Sequence, residues 1–157
     1  MRHSLRTGLS FGLTSGVITT LGLMVGLRSG SQAASVVLGG ILTIAVADSL
    51  SDALGIHVSE ESKNHASHRH VWEATLATFA AKFLIAGTAL PVLFLSLDLA
   101  ILVSVGWGLL LLAMLSFWVA RMQKISPWGV IAEHVFVGMC VIAITHYLGE
   151  WIRGRFP

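Results

Sequence analysis

The chain has 157 residues, 55% of them hydrophobic and 11% charged, with a formal net charge of +2 and a mean hydropathy of +0.81. That leaves too few polar residues to cover a soluble domain, so the expected class is an all-α, polytopic integral membrane protein. The scattered basic residues exclude a nucleic-acid surface, and the single cysteine, Cys140, excludes a disulfide framework or a thiolate metal cluster.

Five apolar stretches have the length that a helix needs to cross about 30 Å of hydrocarbon, roughly 20 residues each. They predict helices at 7–27, 33–58, 72–95, 99–120 and 127–152, one transmembrane domain covering residues 1–157.

The first stretch follows Arg2 and Arg6 and ends at Arg28 without an Ala-x-Ala cleavage pattern, so it reads as a retained helix rather than a signal peptide. Glycines recur four apart at Gly8, Gly12 and Gly16, and again at Gly22 and Gly26. Small residues at that spacing let a neighbouring backbone approach closely, which predicts a central packing role for this helix.

The second stretch carries Asp48 and Asp52 one helical turn apart. At 100° per residue Asp48, Asp52, Gly55 and Ser59 share a narrow face, while His57 points almost opposite Asp48 and reads as interfacial. The following segment, Glu60 to His70, holds three histidines and two glutamates. It is compatible both with concentrating cations at a mouth and with an ordinary polar loop.

In the third stretch Lys82 shares a face with Thr75 and Thr78, which predicts that it looks into the bundle, and Pro91 predicts a kink near the far end. The fourth is apolar throughout. The fifth opens on Pro127, suited to a first helical turn, and carries Glu133, His134, His146 and Glu150. His134 shares a stripe with Gly138, Thr145 and Gly149, as a helix-contact residue would; His146 and Glu150 have the i, i+4 spacing of an interfacial pair or of an exit-side ion site.

Rise per residue places Asp48 and Lys82 about 15 Å deep, and Asp52 and Glu133 about 9 Å deep, so one inner-half cluster is expected. Carboxylates at membrane depth are costly and mark function by default. Asp48 is the counter-ion expected for Lys82, as a static brace or as a gate. Asp52 and Glu133, with Asp48 and His134 as further members of the set, are the expected ligands of a divalent cation, or carriers of protons.

An odd number of spans puts the termini on opposite sides. With the N-terminus cytoplasmic, Arg2, Arg6, Lys63, Arg69, Arg121 and Lys124 lie inside, against Arg28, Arg153 and Arg155 outside. His-Glu-x-x-His and phosphate-loop patterns are missing, and His134 and His146, about 18 Å apart along one helix, cannot ligate one haem iron. No enzyme and no tightly bound cofactor is expected. The functional readings are a transporter of a divalent cation and, alternatively, a non-transporting scaffold or accessory subunit braced by internal ion pairs.

The segments Phe11 to Gly26 (FGLTSGVITTLGLMVG) and Ser51 to Ser59 (SDALGIHVS) resemble the vacuolar iron transporter family. The resemblance extends to five helices in the same order. It implies a homodimer in a lipid bilayer, moving ferrous iron or manganese out of the cytosol in exchange for protons. The family pattern has Asp where this chain has Ser15, Met where it has Asp52, and Glu where it has Ile56. The family's cytoplasmic metal-binding helices are reduced here to the segment Glu60 to His70.

Overall fold

The protein was analysed as a computed structural model, which describes residues 3–63, 67–90 and 94–156. Within them the chain forms five helices: α1 (His3–Ser31), α2 (Ala34–Glu61), α3 (His68–Thr88), α4 (Leu97–Gln123) and α5 (Pro127–Arg155). Four of them outrun their apolar stretch at one end or both, because backbone hydrogen bonding continues through polar turns that hydropathy does not mark. α3 is displaced instead. It begins ahead of Trp72, where Ser67 accepts a hydrogen bond from the His70 backbone N–H at 3.3 Å, and it ends at Thr88 rather than at residue 95. The kink assigned to Pro91 falls outside the described residues.

α1, α2, α4 and α5, with 29, 28, 27 and 29 residues, are long and apolar enough to cross a membrane. Large apolar side chains stand on their outer faces, among them Leu54, Leu102, Phe136 and Ile144, a surface suited to hydrocarbon rather than water. The chain is therefore of the integral membrane class. α3, with 21 residues including Arg69, Glu73 and Lys82, does not reach that apolarity. It instead buries one face through Ala74, Thr78, Ala81, Lys82 and Ala86, while Trp72, Leu76, Phe83 and Leu84 stay exposed on the other.

α1 packs against each of the other four helices, as its glycines predict. Those glycines serve two neighbours. A Cβ on Gly12 would lie 2.6 Å from the Thr78 carbonyl oxygen, and Gly8 and Gly16 likewise face α3 at Ala74 and at Lys82 and Ile85. Further along, a Cβ on Gly22 would lie 2.7 Å from Val141 Cγ1, and Gly26 meets Thr145, both on α5. The contacts advance together along each pair, so α1, α3 and α5 run in one direction, with α2 and α4 returning. The two described ends of the chain consequently lie at opposite ends of the bundle.

Apolar clusters fill the seams: Met24, Val37, Ile41 and Ala89 in one, Val17, Leu21 and Leu112 in another. α4 contributes the buried row Ala100, Ser104, Gly108, Leu112, Ser116 and Ala120, small at every position but Leu112, which lets it lie close. Tight connections at Gln32 (φ 54°) and Lys124 (φ 57°) use the left-handed backbone region to reverse the chain.

Candidate functional site

Three helices bring four polar side chains together inside the bundle. On α3 the hydroxyls of Thr75 and Thr78 find acceptors within their own helix, the carbonyls of Val71 and Ala74 at 2.8 and 2.9 Å, besides contacts with His57 of α2 and the Gly8 carbonyl of α1. Lys82 has no such option. Its side chain is only 2% exposed and crosses to α2, where Nζ lies 2.6 Å from Asp48 Oδ2 and also contacts Asp52 Oδ2.

Ser15 of α1 completes the group: it accepts from Lys82 Nζ at 3.0 Å and donates to Asp52 Oδ2 at 2.7 Å. Asp48 Oδ2, although at ion-pair distance, makes no hydrogen bond of suitable angle, so charge rather than a directed bond holds it. The acid side chains keep partial access, 30% for Asp48 and 21% for Asp52. Counted formally, two acids and one base give the cluster one net negative charge.

The expected Lys82 and Asp48 pair is thus present, but Asp52 is not left over. Acids one turn apart present their carboxylates along one face, and a single ammonium fits between them. Ser15 was noted in the sequence only as a departure from a family pattern. The signal for its role is its place beside Gly12 and Gly16, on the side of α1 that approaches α3.

Glu133 does not join the cluster. It is exposed on α5, a helix packed on α1 and α4, so the expected group of four contains only three of its members. Helix depth sets height in the bundle; it says nothing about which side of the bundle a residue faces. His134 takes the helix-contact role instead, with Nδ1 2.8 Å from Ser116 Oγ of α4. Among the described residues no group of three or more His, Cys, Asp or Glu side chains is placed to hold a metal ion. The expected ligand set of Asp48, Asp52, Glu133 and His134 is therefore not assembled within one chain.

The remaining polar residues close the two ends of the bundle. His57 Nδ1 lies 3.0 Å from Thr75 Oγ1, with its ring edge-on to Trp72. Glu60 is 1% exposed and is held by Lys63 at 2.6 Å and His70 at 3.0 Å, while Glu73 takes Ser4 and Arg69, each at 2.8 Å. Of the segment from Glu60 to His70, Glu60 and His70 are thus engaged in joining helix ends, His68 accepts from Trp72 Nε1 at 3.2 Å within α3, and Glu61 is exposed; His65 lies outside the described residues. At the other end Ser29 Oγ lies 2.7 Å from His146 Nδ1, Arg28 pairs with Asp98, and Glu150 stands 3.8 Å from both His146 and Arg153.

Asp48 also opens outward. It lines a groove of about 550 Å³ between α1 and α2, together with Thr19, Leu23, Gly40 and Thr43. Thr19, Leu23, Leu27 and Ile44 are shared with a second, apolar groove of about 730 Å³ between α1 and α5. One carboxylate of the pair therefore lines a groove that adjoins the apolar one along α1.

Fold and cluster together define a small helical membrane protein with a lysine-bridged carboxylate pair inside its bundle. Comparison with protein-family models, with curated proteins and with solved structures finds no match. The likeness to vacuolar iron transporters therefore rests on the first- and second-helix motifs alone.

Proposed function

We propose that the protein is a membrane transporter of a divalent metal cation, iron or manganese by the sequence resemblance, using Asp48 and Asp52 as the cargo site and protons as counter-substrate. The observation that carries this reading is the charge balance of the cluster. Two carboxylates match one divalent cation once the Lys82 ammonium gives up its proton or leaves the cluster; with the cation gone, that ammonium supplies one positive charge and a proton on a carboxylate the other, so both loaded and empty states can be neutral inside the membrane. The groove beside Asp48 provides an approach for the ion. In this reading α3 is a fifth span whose polar residues are sheltered by its neighbours, the N-terminus is cytoplasmic, and two copies form the working unit. Glu133 and His134 are not needed at the cargo site.

The test is metal flux into liposomes containing the purified protein. Asp52→Asn is expected to abolish flux while leaving the protein folded and assembled; undiminished flux removes Asp52 from the mechanism and with it this reading.

A second reading is favoured by one specific observation, that Lys82 meets both acids at once. In a scaffold or accessory subunit the same cluster is a permanent brace. If exchanging Asp48 and Lys82 together restores an assembly lost in either single variant, and the protein binds no metal, the brace is the correct account.

A further inference from the structure

At the end of the bundle where α1 begins and α4 finishes, the two helices part around a cavity of about 200 Å³. His3, Arg6, Thr7 and Ser10 of α1 line it, facing Met122 and Gln123 of α4. No carboxylate is among the lining residues, and among the described residues Arg6 has no ion-pair partner. A guanidinium carries five donors in a planar fork, so an unpaired one beside a polar cavity suits an anion with several acceptor oxygens.

The surroundings add to the positive potential. The first described turn of α1 carries no acid, and the N-terminal end of a helix favours negative charge. Arg121, 5.2 Å from the Phe117 ring centroid, and Lys124 stand at the same end of α4. Two of the carbonyls at the end of α4 are covered, since the backbone N–H groups of Lys124 and Ile125 bond to Arg121 and Ala120 at 3.3 and 3.1 Å. Thr7 is already donating to the His3 carbonyl, which leaves Ser10 and Gln123 as the neutral donors available.

The cavity sits where membrane-length apolar helices reach their polar ends, and Phe11 of α1 and Phe117 of α4 are each 42% exposed on the helices that form it. A free phosphate would use the charge but none of this apolar surface. We infer that the cavity binds the headgroup phosphate of an anionic phospholipid, with Arg6 as its principal cation and Ser10 and Gln123 as hydrogen-bond donors. Basic pockets between helices at a membrane surface recognise lipids in this way. The inference is independent of what, if anything, the protein transports.

Native mass spectrometry of the protein in micelles containing phosphatidylglycerol or phosphatidylcholine tests it. Phosphatidylglycerol is expected to be retained selectively, and Arg6→Gln to weaken its binding about fivefold, the effect of one basic residue at an anionic surface. Gln123→Glu, which places a carboxylate in the cavity, is a second variant with the same expected direction, and Arg28→Gln at the opposite end of the bundle should bind as the wild type does. Circular dichroism establishes that each variant is folded; should Arg6→Gln fail to fold, Gln123→Glu decides. Retention of phosphatidylcholine as strong as that of phosphatidylglycerol overturns the inference, as does undiminished binding in folded Arg6→Gln and Gln123→Glu. Displacement of the lipid by millimolar inorganic phosphate would reassign the cavity to free phosphate and equally overturn it.

Discussion

Replacing Lys82 by methionine keeps most of the length of the side chain and removes its ammonium group. The ammonium lies between two acids and is 2% exposed, so its removal leaves two facing carboxylates with no cation inside the bundle. Stranding a buried charge by deleting its partner costs roughly 3–5 kcal/mol. Because Asp48 and Asp52 keep 30% and 21% of their side-chain surface accessible, water relieves part of this cost and the expected loss is at the lower end, about 3 kcal/mol. Adding Asp52→Asn to Lys82→Met removes one of the two stranded charges and should recover about half of the loss, a coupling that a double-mutant cycle measures directly. The assay is equilibrium unfolding by sodium dodecyl sulfate in mixed micelles, followed by helical circular dichroism. A Lys82→Met protein within about 0.5 kcal/mol of wild type, the range of an ordinary surface substitution, would show that the cluster is not electrostatically coupled. A double variant less stable than Lys82→Met would refute the charge argument outright.

The same unfolding assay checks three further expectations. Gly12→Ala places a Cβ 2.6 Å from the Thr78 carbonyl oxygen and should cost about 1–3 kcal/mol by forcing α1 from α3, whereas Gly39→Ala, with nothing within 4 Å, should be neutral or slightly stabilising. Ser116→Ala removes the 2.8 Å partner of His134 Nδ1 and should lower stability by about 1–3 kcal/mol, the cost of leaving a partly buried polar group unsatisfied. Gln32→Gly relieves a left-handed backbone at φ 54° in the connection from α1 to α2 and should raise stability by about 1 kcal/mol; a loss of stability would show that the Gln32 side chain contributes more than its backbone strain costs.

Hydropathy and spacing were enough to read the five helices in order, the burial of Lys82, its pairing with Asp48 and the close-packing glycines of α1. Each of these follows from interactions along one helix: apolar length, a 100° turn per residue, and the absence of a side chain at every fourth position. Helix ends were less legible, because the Ser67 cap and the polar first turn of α3 are stabilised by hydrogen bonds that carry no hydropathy signal.

What the sequence could not determine was the arrangement of the helices around one another. Asp52 and Glu133 lie at similar depths, yet α5 packs on α1 and α4, so Glu133 faces outward while Ser15, unremarkable in the sequence, reaches Asp52. Likewise Gly8, Gly12 and Gly16 serve α3 while Gly22 and Gly26 serve α5, a division set by which helices surround α1. Periodicity along a chain fixes the height and facing of each side chain on its own helix. Only tertiary packing, the sum of many weak contacts between helices, decides which faces meet and so which charges share a site.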